Sequence, residues 1–206
     1  MNNSRVEFHC FRQSSLPMNL ANFFTCLRVL LIPVFMAVYF ADFRGHFLLS
    51  SAIFIFACIT DWLDGHMARR LSQTSRFGAF LDPVADKLLV TITLVMLAAS
   101  YTSAWYIVPA ALMVAREVLV SALREWMAEH KQRDAVAVGM LGKIKTTIQM
   151  SALVVLLATD TQGPPIIWIT GYVMLSVAAL LTLWSMAIYL RSAWPVLKSG
   201  LKSELK

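Results

Sequence analysis

The chain has 206 residues, of which 58% are hydrophobic and only 15% charged, whereas soluble domains carry about 25% charged residues. That balance excludes an ordinary soluble domain and points to a single membrane-embedded helical bundle. The net charge of +6 comes without a basic tract interleaved with aromatics, so no nucleic-acid partner is expected.

Residues 1–17 are polar and lack an apolar core after a basic start. They do not resemble a cleaved signal peptide and are expected to form a tail or surface segment. A membrane-spanning helix needs about 20 mostly apolar residues. Six candidate spans follow, at roughly 20–40, 47–68, 82–100, 104–127, 140–159 and 165–190. The breaks "ADFRGHF", "RRLSQTSRFGAFL", "SYTSA", "EHKQRDAVAVG" and "TDTQGPP" supply the Gly, Pro, Ser, Thr and charge that turns require. The fold expected is an all-α integral membrane protein, a six-transmembrane-helix bundle over residues 18–192. Residues 193–206 form a basic C-terminal tail whose Lys198, Lys202 and Lys206 rest near anionic lipid head groups. Cys10, Cys26 and Cys58 show no metal-ligand spacing, and the latter two read as small buried hydrophobes.

Loop charge sets orientation. Of the 18 Lys and Arg, only Arg44 falls in the first, third and fifth breaks. Both termini and the Asp61–Asp86 stretch are therefore expected on the cytoplasmic side. Tyr101, Trp105, Tyr106 and Trp168 would form an aromatic belt at the outer interface.

Asp61 and Asp64 close the second span, and Asp82 and Asp86 open the third. On helices the members of each pair lie about 40–60° apart, on one face. An antiparallel helix pair would point all four carboxylates at one spot. Four close carboxylates repel unless cations sit between them. Oxygen-only donors suit Mg²⁺ or Mn²⁺, and four acids can bracket two ions, an arrangement that serves phosphoryl displacement. Gly65 and Gly78 allow close backbone approach beside the acids, and Arg69 is a fork that fits a phosphate. The bland alternative is that the acids mark helix ends and pair with Arg69, Arg70, Arg76 and Lys87. Four acids at these spacings weigh against it. Spacing alone leaves open which of the four would act as a base.

The segment "DWLDGHMARRLSQTSRFGAFLDPVAD" fits the pattern D-x2-D-G-x2-A-R-x8-G-x3-D-x3-D at every fixed position. It thereby resembles the CDP-alcohol phosphatidyltransferase family. The resemblance implies a six-span bundle that moves a phosphatidyl group from CDP-diacylglycerol to an alcohol and releases CMP. By position it implies Asp61, Asp64, Asp82 and Asp86 as metal ligands for Mg²⁺ or Mn²⁺, with Asp86 also the base toward the acceptor hydroxyl. Gly65, Arg69 and Ser75 would contact the CDP moiety, with Gly78, Asn22 and Thr25 also placed on the CDP-diacylglycerol side. His66 stands at a position where the pattern allows any residue, and reads as a lining residue.

A second polar set interrupts the apolar spans: Arg116, Glu117 and Arg124 in the fourth, Lys143 and Lys145 in the fifth, and Asn22, Thr25 and Arg28 in the first. Several basic residues at one membrane depth call for an anion. Arg116, Lys143, Lys145, Arg124 and Arg28 are the candidates for an acceptor phosphate. The structural alternative pairs Glu117 or Glu125 with Arg28 or Arg124. "AREVLVSALREWMAE", "GKIKTTIQM" and "LTLWSMAIYL" resemble the bacterial branch of the family whose acceptor is sn-glycerol 3-phosphate. That implies a multi-pass protein of the bacterial inner membrane and a homodimer. Relatives within the family would use inositol phosphate or phosphatidylglycerol instead. A divalent-cation transporter, with the acids as an ion path, is the non-enzymatic alternative, but it leaves Gly65, Arg69 and the basic set unexplained.

Overall fold

The structure is a computed structural model that describes residues 20–71, 76–129, 140–159 and 163–204. Among these residues the regular structure is entirely helical. Six helices follow in order: α1 (Leu20–Tyr39), α2 (His46–Leu71), α3 (Arg76–Ser100), α4 (Ala104–Glu129), α5 (Met140–Leu157) and α6 (Pro165–Glu204). Five begin within a residue of an expected span, whereas α3 begins at Arg76, six residues before its expected start, and takes in part of the second break. The N-terminal tail and Ser75 lie outside the described residues.

Two of the helices, α4 over Ala104–Met127 and α6 over Pro165–Arg191, are long and apolar enough to cross a membrane on length and composition. Their outer faces carry exposed Val118, Leu119, Leu180 and Trp184. Exposed apolar side chains in such numbers suit contact with lipid rather than water. Among the described residues the chain is all-helical, with two helices of membrane-spanning length and composition.

The inward stripes follow helical spacing. In α1 the buried residues are Thr25, Arg28, Ile32, Phe35 and Tyr39, which recur every three or four residues and so share one face. Cross-helix contacts fix the directions. Arg28 meets Asp86 near the starts of α1 and α3, and Tyr39 hydroxyl meets Ser100 Oγ at 2.8 Å near their ends. These two helices are parallel. Ser51, early in α2, donates to Val154 carbonyl, late in α5, so that pair is antiparallel. Arg116 and Arg124 of α4 reach Ser185 and Tyr189 of α6 in the same order. The bundle therefore runs up and down, with α1, α3 and α5 starting at one end and α2, α4 and α6 finishing there.

The two ends of the interior differ in chemistry. Where α1, α3 and α5 start, buried side chains include Thr25, Arg28, Thr60, Arg116, Lys145 and Ser185. The opposite end is aromatic. Tyr101 and Tyr106 are buried there and stack on one another and on Tyr172. Neither joins a lipid-facing belt. Tyr101 hydroxyl donates to the carbonyls of Leu156 (3.0 Å) and Thr159 (2.8 Å), and Tyr106 hydroxyl to Leu94 carbonyl (2.7 Å). Carbonyls at the end of α5 have no helical N–H to receive, and Tyr101 satisfies them from inside. Trp105 does face outward, as expected, whereas Trp168 is half-buried.

Two further departures concern Cys26, which is exposed rather than buried, and α6. The 40-residue α6 continues through Trp194 to Glu204, so most of the stretch expected as a separate basic tail is an extension of the last helix. At about 1.5 Å per residue it is far longer than a roughly 30 Å hydrocarbon layer requires.

α5 and α6 pack closely because Gly171 has no side chain: a Cβ there would stand 2.6 Å from both Cγ and Cδ2 of Leu156. Leu156 is fully buried, so it has little room to yield. Gly171→Val is expected to lower stability by about 1–3 kcal/mol, read as a fall in melting temperature in detergent. Gly45, by contrast, has open space around it but a φ of 90°. It turns the chain into α2 in a conformation most side chains resist.

Candidate active site

At the polar end, α1, α2 and α3 meet on one charge. Arg28 Nη1 lies 2.8 Å from Asp61 Oδ1 and 2.8 Å from Asp86 Oδ1. The guanidinium side chain is fully buried, while the two carboxylates remain 44% and 48% exposed. The stripe on α1 explains the burial. Arg28 occupies an inward position between Thr25 and Ile32, so its side chain must enter the bundle. Cys58 and Thr60 lie beside this junction on α2, and Thr60 Oγ1 donates back to Ala57 carbonyl at 2.8 Å.

The structure thus brings two of the four sequence-predicted acids, from different helices, to a single nitrogen. Asp64 lies one turn beyond Asp61 in α2, and Asp82 one turn before Asp86 in α3. Their side chains fall outside the described residues, as do those of Asn22, Gly65, His66, Arg69, Gly78 and Lys143. Thr25 is buried one turn from Arg28. Lys87, which the bland alternative pairs with the acids, donates from Nζ to Ser121 Oγ at 2.6 Å and ties α3 to α4. Asp61 and Asp86 offer only oxygen, half open to the outside, which fits a hard divalent cation.

A second cluster joins α4, α5 and α6. Arg116 Nη1 donates to Glu117 Oε1 at 2.6 Å, and Arg116 Nη2 to Ser185 Oγ at 3.4 Å. Lys145 Nζ stands 3.9 Å from the same Glu117 oxygen. Arg116 and Lys145 are both 6% exposed. Among the described residues, Arg116 Nε and Lys145 Nζ find no hydrogen-bond partner. Two buried cations with unused donors, facing one carboxylate, form a site with excess positive charge.

Two residues expected in this basic set make other contacts. Arg28 belongs to the aspartate junction, not to the anion cluster, and its carboxylate partners are Asp61 and Asp86 rather than Glu117 or Glu125. The reason is register: its stripe faces α2 and α3. Arg124 is exposed and lies over the Tyr189 ring, 5.7 Å from its centroid, with Nη2 3.4 Å from the Tyr189 hydroxyl. Ser185 is the contact that the sequence does not single out, and Glu117, which stands in the polar set, pairs with Arg116 rather than with Arg28 or Arg124. Glu117 follows Arg116 directly, and that adjacency is the only signal. Nothing local marks Ser185.

Toward one end of the bundle the structure thus holds both an Asp–Arg–Asp junction and a buried cationic cluster. The CDP-alcohol phosphatidyltransferase family model matches residues 18–189, and the chain belongs to that family. Similar proteins include the CDP-diacylglycerol–glycerol-3-phosphate 3-phosphatidyltransferase of Pseudomonas fluorescens, 48% identical over 92% of this chain and 97% of that one. The enzymes of the same name from Yersinia enterocolitica (49% identical; 86% of this chain, 96% of that one) and Salmonella typhimurium (51%; 85% and 94%) are comparable.

The junction predicts a stability effect that is independent of turnover. Arg28→Gln leaves Asp61 and Asp86 facing one another without the shared cation. It should lower stability by about 1–3 kcal/mol, measured as melting temperature in detergent. Arg28→Lys, with the charge but one donor group instead of a fork, should fall between that variant and the parent.

Proposed function

We propose that the chain transfers the phosphatidyl group of CDP-diacylglycerol to sn-glycerol 3-phosphate, giving phosphatidylglycerol phosphate and CMP. The observation that carries this reading is the convergence of Asp61 and Asp86 on Arg28, because these acids are the first and last of the family pattern. The names of the relatives support the choice of donor and acceptor.

In this reading all six helices cross the bacterial inner membrane, with the polar end cytoplasmic. The charge asymmetry of the loops and the up-and-down order of the helices support that placement. The protein works as a homodimer. Asp61, Asp64, Asp82 and Asp86 are the residues that would hold Mg²⁺ or Mn²⁺, with oxygens enough for two ions. When bound, such ions neutralise charge on the pyrophosphate and on the departing CMP. Gly65, Arg69 and Ser75 bind the CDP moiety, with Gly78, Asn22 and Thr25 on the same side. Arg116 and Lys145, with Lys143, hold the acceptor phosphate.

The chemistry follows from these positions. The free hydroxyl of the acceptor attacks the β-phosphorus of the donor. A new P–O bond forms as the bond from the β-phosphorus to the CMP oxygen breaks, and CMP leaves with that electron pair. Asp86 accepts the hydroxyl proton during attack, since an alcohol is a poor nucleophile at neutral pH. Arg28 orients Asp86 and Asp61 by donating to both. Arg69 and the buried Arg116 and Lys145 offset the negative charge that two phosphorylated substrates bring together.

CMP release by purified protein, supplied with CDP-diacylglycerol and a panel of glycerol 3-phosphate, inositol phosphate and phosphatidylglycerol, tests the assignment. Release with glycerol 3-phosphate alone is expected. Cation flux in liposomes without CMP release would establish a transporter instead. Chelation by EDTA should abolish turnover, and Mg²⁺ or Mn²⁺ should restore it.

Asp86→Asn should lower turnover by about 10²–10⁴-fold while CDP-diacylglycerol binding persists. Full activity in this variant would remove Asp86 from the mechanism. Lys145→Ala should raise the KM for glycerol 3-phosphate by about tenfold or more, the scale of a lost charge-assisted contact, and leave the KM for the lipid donor nearly unchanged.

A further inference from the structure

We infer that Glu117 is the resident counter-anion of the acceptor site, holding the place between Arg116 and Lys145 that an incoming phosphate monoester takes. The inference rests on the acceptor-site reading given above and adds to it a residue that governs which anions enter.

The cluster is unequal in two ways. Arg116 and Lys145 have side chains only 6% and 7% exposed, whereas Glu117 is 27% exposed. The cations are therefore fixed in the bundle, and the carboxylate is the member with a route outward. The carboxylate is also a partial partner. It stands 2.6 Å from Arg116 but 3.9 Å from Lys145, beyond hydrogen-bond range for the latter. Lys145 Nζ and Arg116 Nε keep unspent donors inside the site.

A phosphate monoester carries a charge of about −1.5 to −2 at pH 7 and three acceptor oxygens. It can pair with both cations at once, which one Glu117 oxygen does not. Displacing a carboxylate from two cations favours such a dianion over a singly charged phosphodiester or a neutral polyol. Glu117 thereby selects phosphorylated small alcohols over lipid head groups bearing a diester.

The test uses the full-length protein in detergent, with inorganic phosphate as a competitor of glycerol 3-phosphate. Glu117→Gln keeps the side-chain size but removes the charge. It is expected to lower both the Ki for phosphate and the KM for glycerol 3-phosphate by about three- to tenfold. The KM for CDP-diacylglycerol should stay within about twofold, since the donor's charge is met elsewhere. Glu117→Asp retracts the carboxylate from Lys145 and should shift both constants the same way by about twofold. That variant carries the test if the Gln form does not fold. A phosphate Ki that is unchanged or raised in both variants, beside weaker phosphate inhibition in Lys145→Ala, overturns the role of Glu117 alone. Phosphate inhibition untouched by Lys145→Ala removes the acceptor site from this cluster, and the inference with it.

Discussion

A fully buried guanidinium shared by two carboxylates sets the geometry of the polar end. Arg28 cannot leave the bundle without rotating α1, because Ile32, Phe35 and Tyr39 continue the same inward stripe. Asp61 and Asp86 meet it from helices that approach from two sides. An isolated buried arginine would be strongly unfavourable in a membrane-embedded interior. Its two partners make the position tolerable, and they in turn are held at defined distances. Buried ion pairs contribute little net stability but penalise alternative pairings heavily. In this protein the pairing fixes how α1, α2 and α3 register against one another, and the apolar stripes then fill in around that register.

The second cluster has the opposite balance of charge, with two cations to one carboxylate where the junction has one cation to two carboxylates. At the aspartate junction the cation is buried and the acids are half open. At the Arg116–Lys145 cluster the cations are buried and the acid is the exposed member. The junction thus has carboxylate oxygens to spare, and the cluster has buried cationic donors to spare. Carboxylates turned outward take cations, and cations with unspent donors take anions. The two stand toward the same end of the bundle, and α3 and α4, which contribute to one each, are tied by the short Lys87–Ser121 hydrogen bond. A reaction between a metal-associated pyrophosphate and a phosphorylated alcohol needs both polarities, held on elements that do not shift relative to one another.

Much of this was legible in the sequence. Apolar runs broken by Gly, Pro and charged turns placed the helices, with α1, α2, α4 and α5 within three residues of their bounds, α3 starting at Arg76 rather than 82 and α6 ending at Glu204 rather than 190. The paired acids at helical spacing marked the ends of α2 and α3 as a site, and Arg116 and Lys145 stood out as charges inside apolar spans. What could not be read was which way a charge points once several helices are available. Arg28 looks like one more basic residue until the stripe it shares with Phe35 and Tyr39 is seen to face α2 and α3. Glu117 looks like the natural partner of a distant arginine until it bonds its own neighbour. Tyr101 and Tyr106 have the composition of an interfacial belt, and only the bonds of their hydroxyls, Tyr101 to carbonyls at the end of α5 and Tyr106 to Leu94 carbonyl in α3, show that they turn inward. Gly171 has no local signature, since its requirement comes wholly from Leu156 across the helix pair. The continuation of α6 past its apolar segment is invisible to hydropathy because a helix does not need to be apolar to persist.

The division of the interior into a polar and an aromatic end gives this arrangement its physical sense. A lipid donor stays in the membrane, whereas a phosphorylated alcohol cannot enter hydrocarbon. They meet only at the boundary, so the charged groups that serve them must sit at one end of the helices rather than at mid-depth. That end then gives part of its interior to charged groups rather than to apolar packing. The other end supplies it: the Tyr101–Tyr106–Tyr172 stack, the hydroxyl bonds to Leu94, Leu156 and Thr159, and the close Gly171–Leu156 approach. Rigidity at the aromatic end leaves the polar end free to keep half-exposed carboxylates and unspent donors, features that a uniformly packed bundle would have to bury or pair.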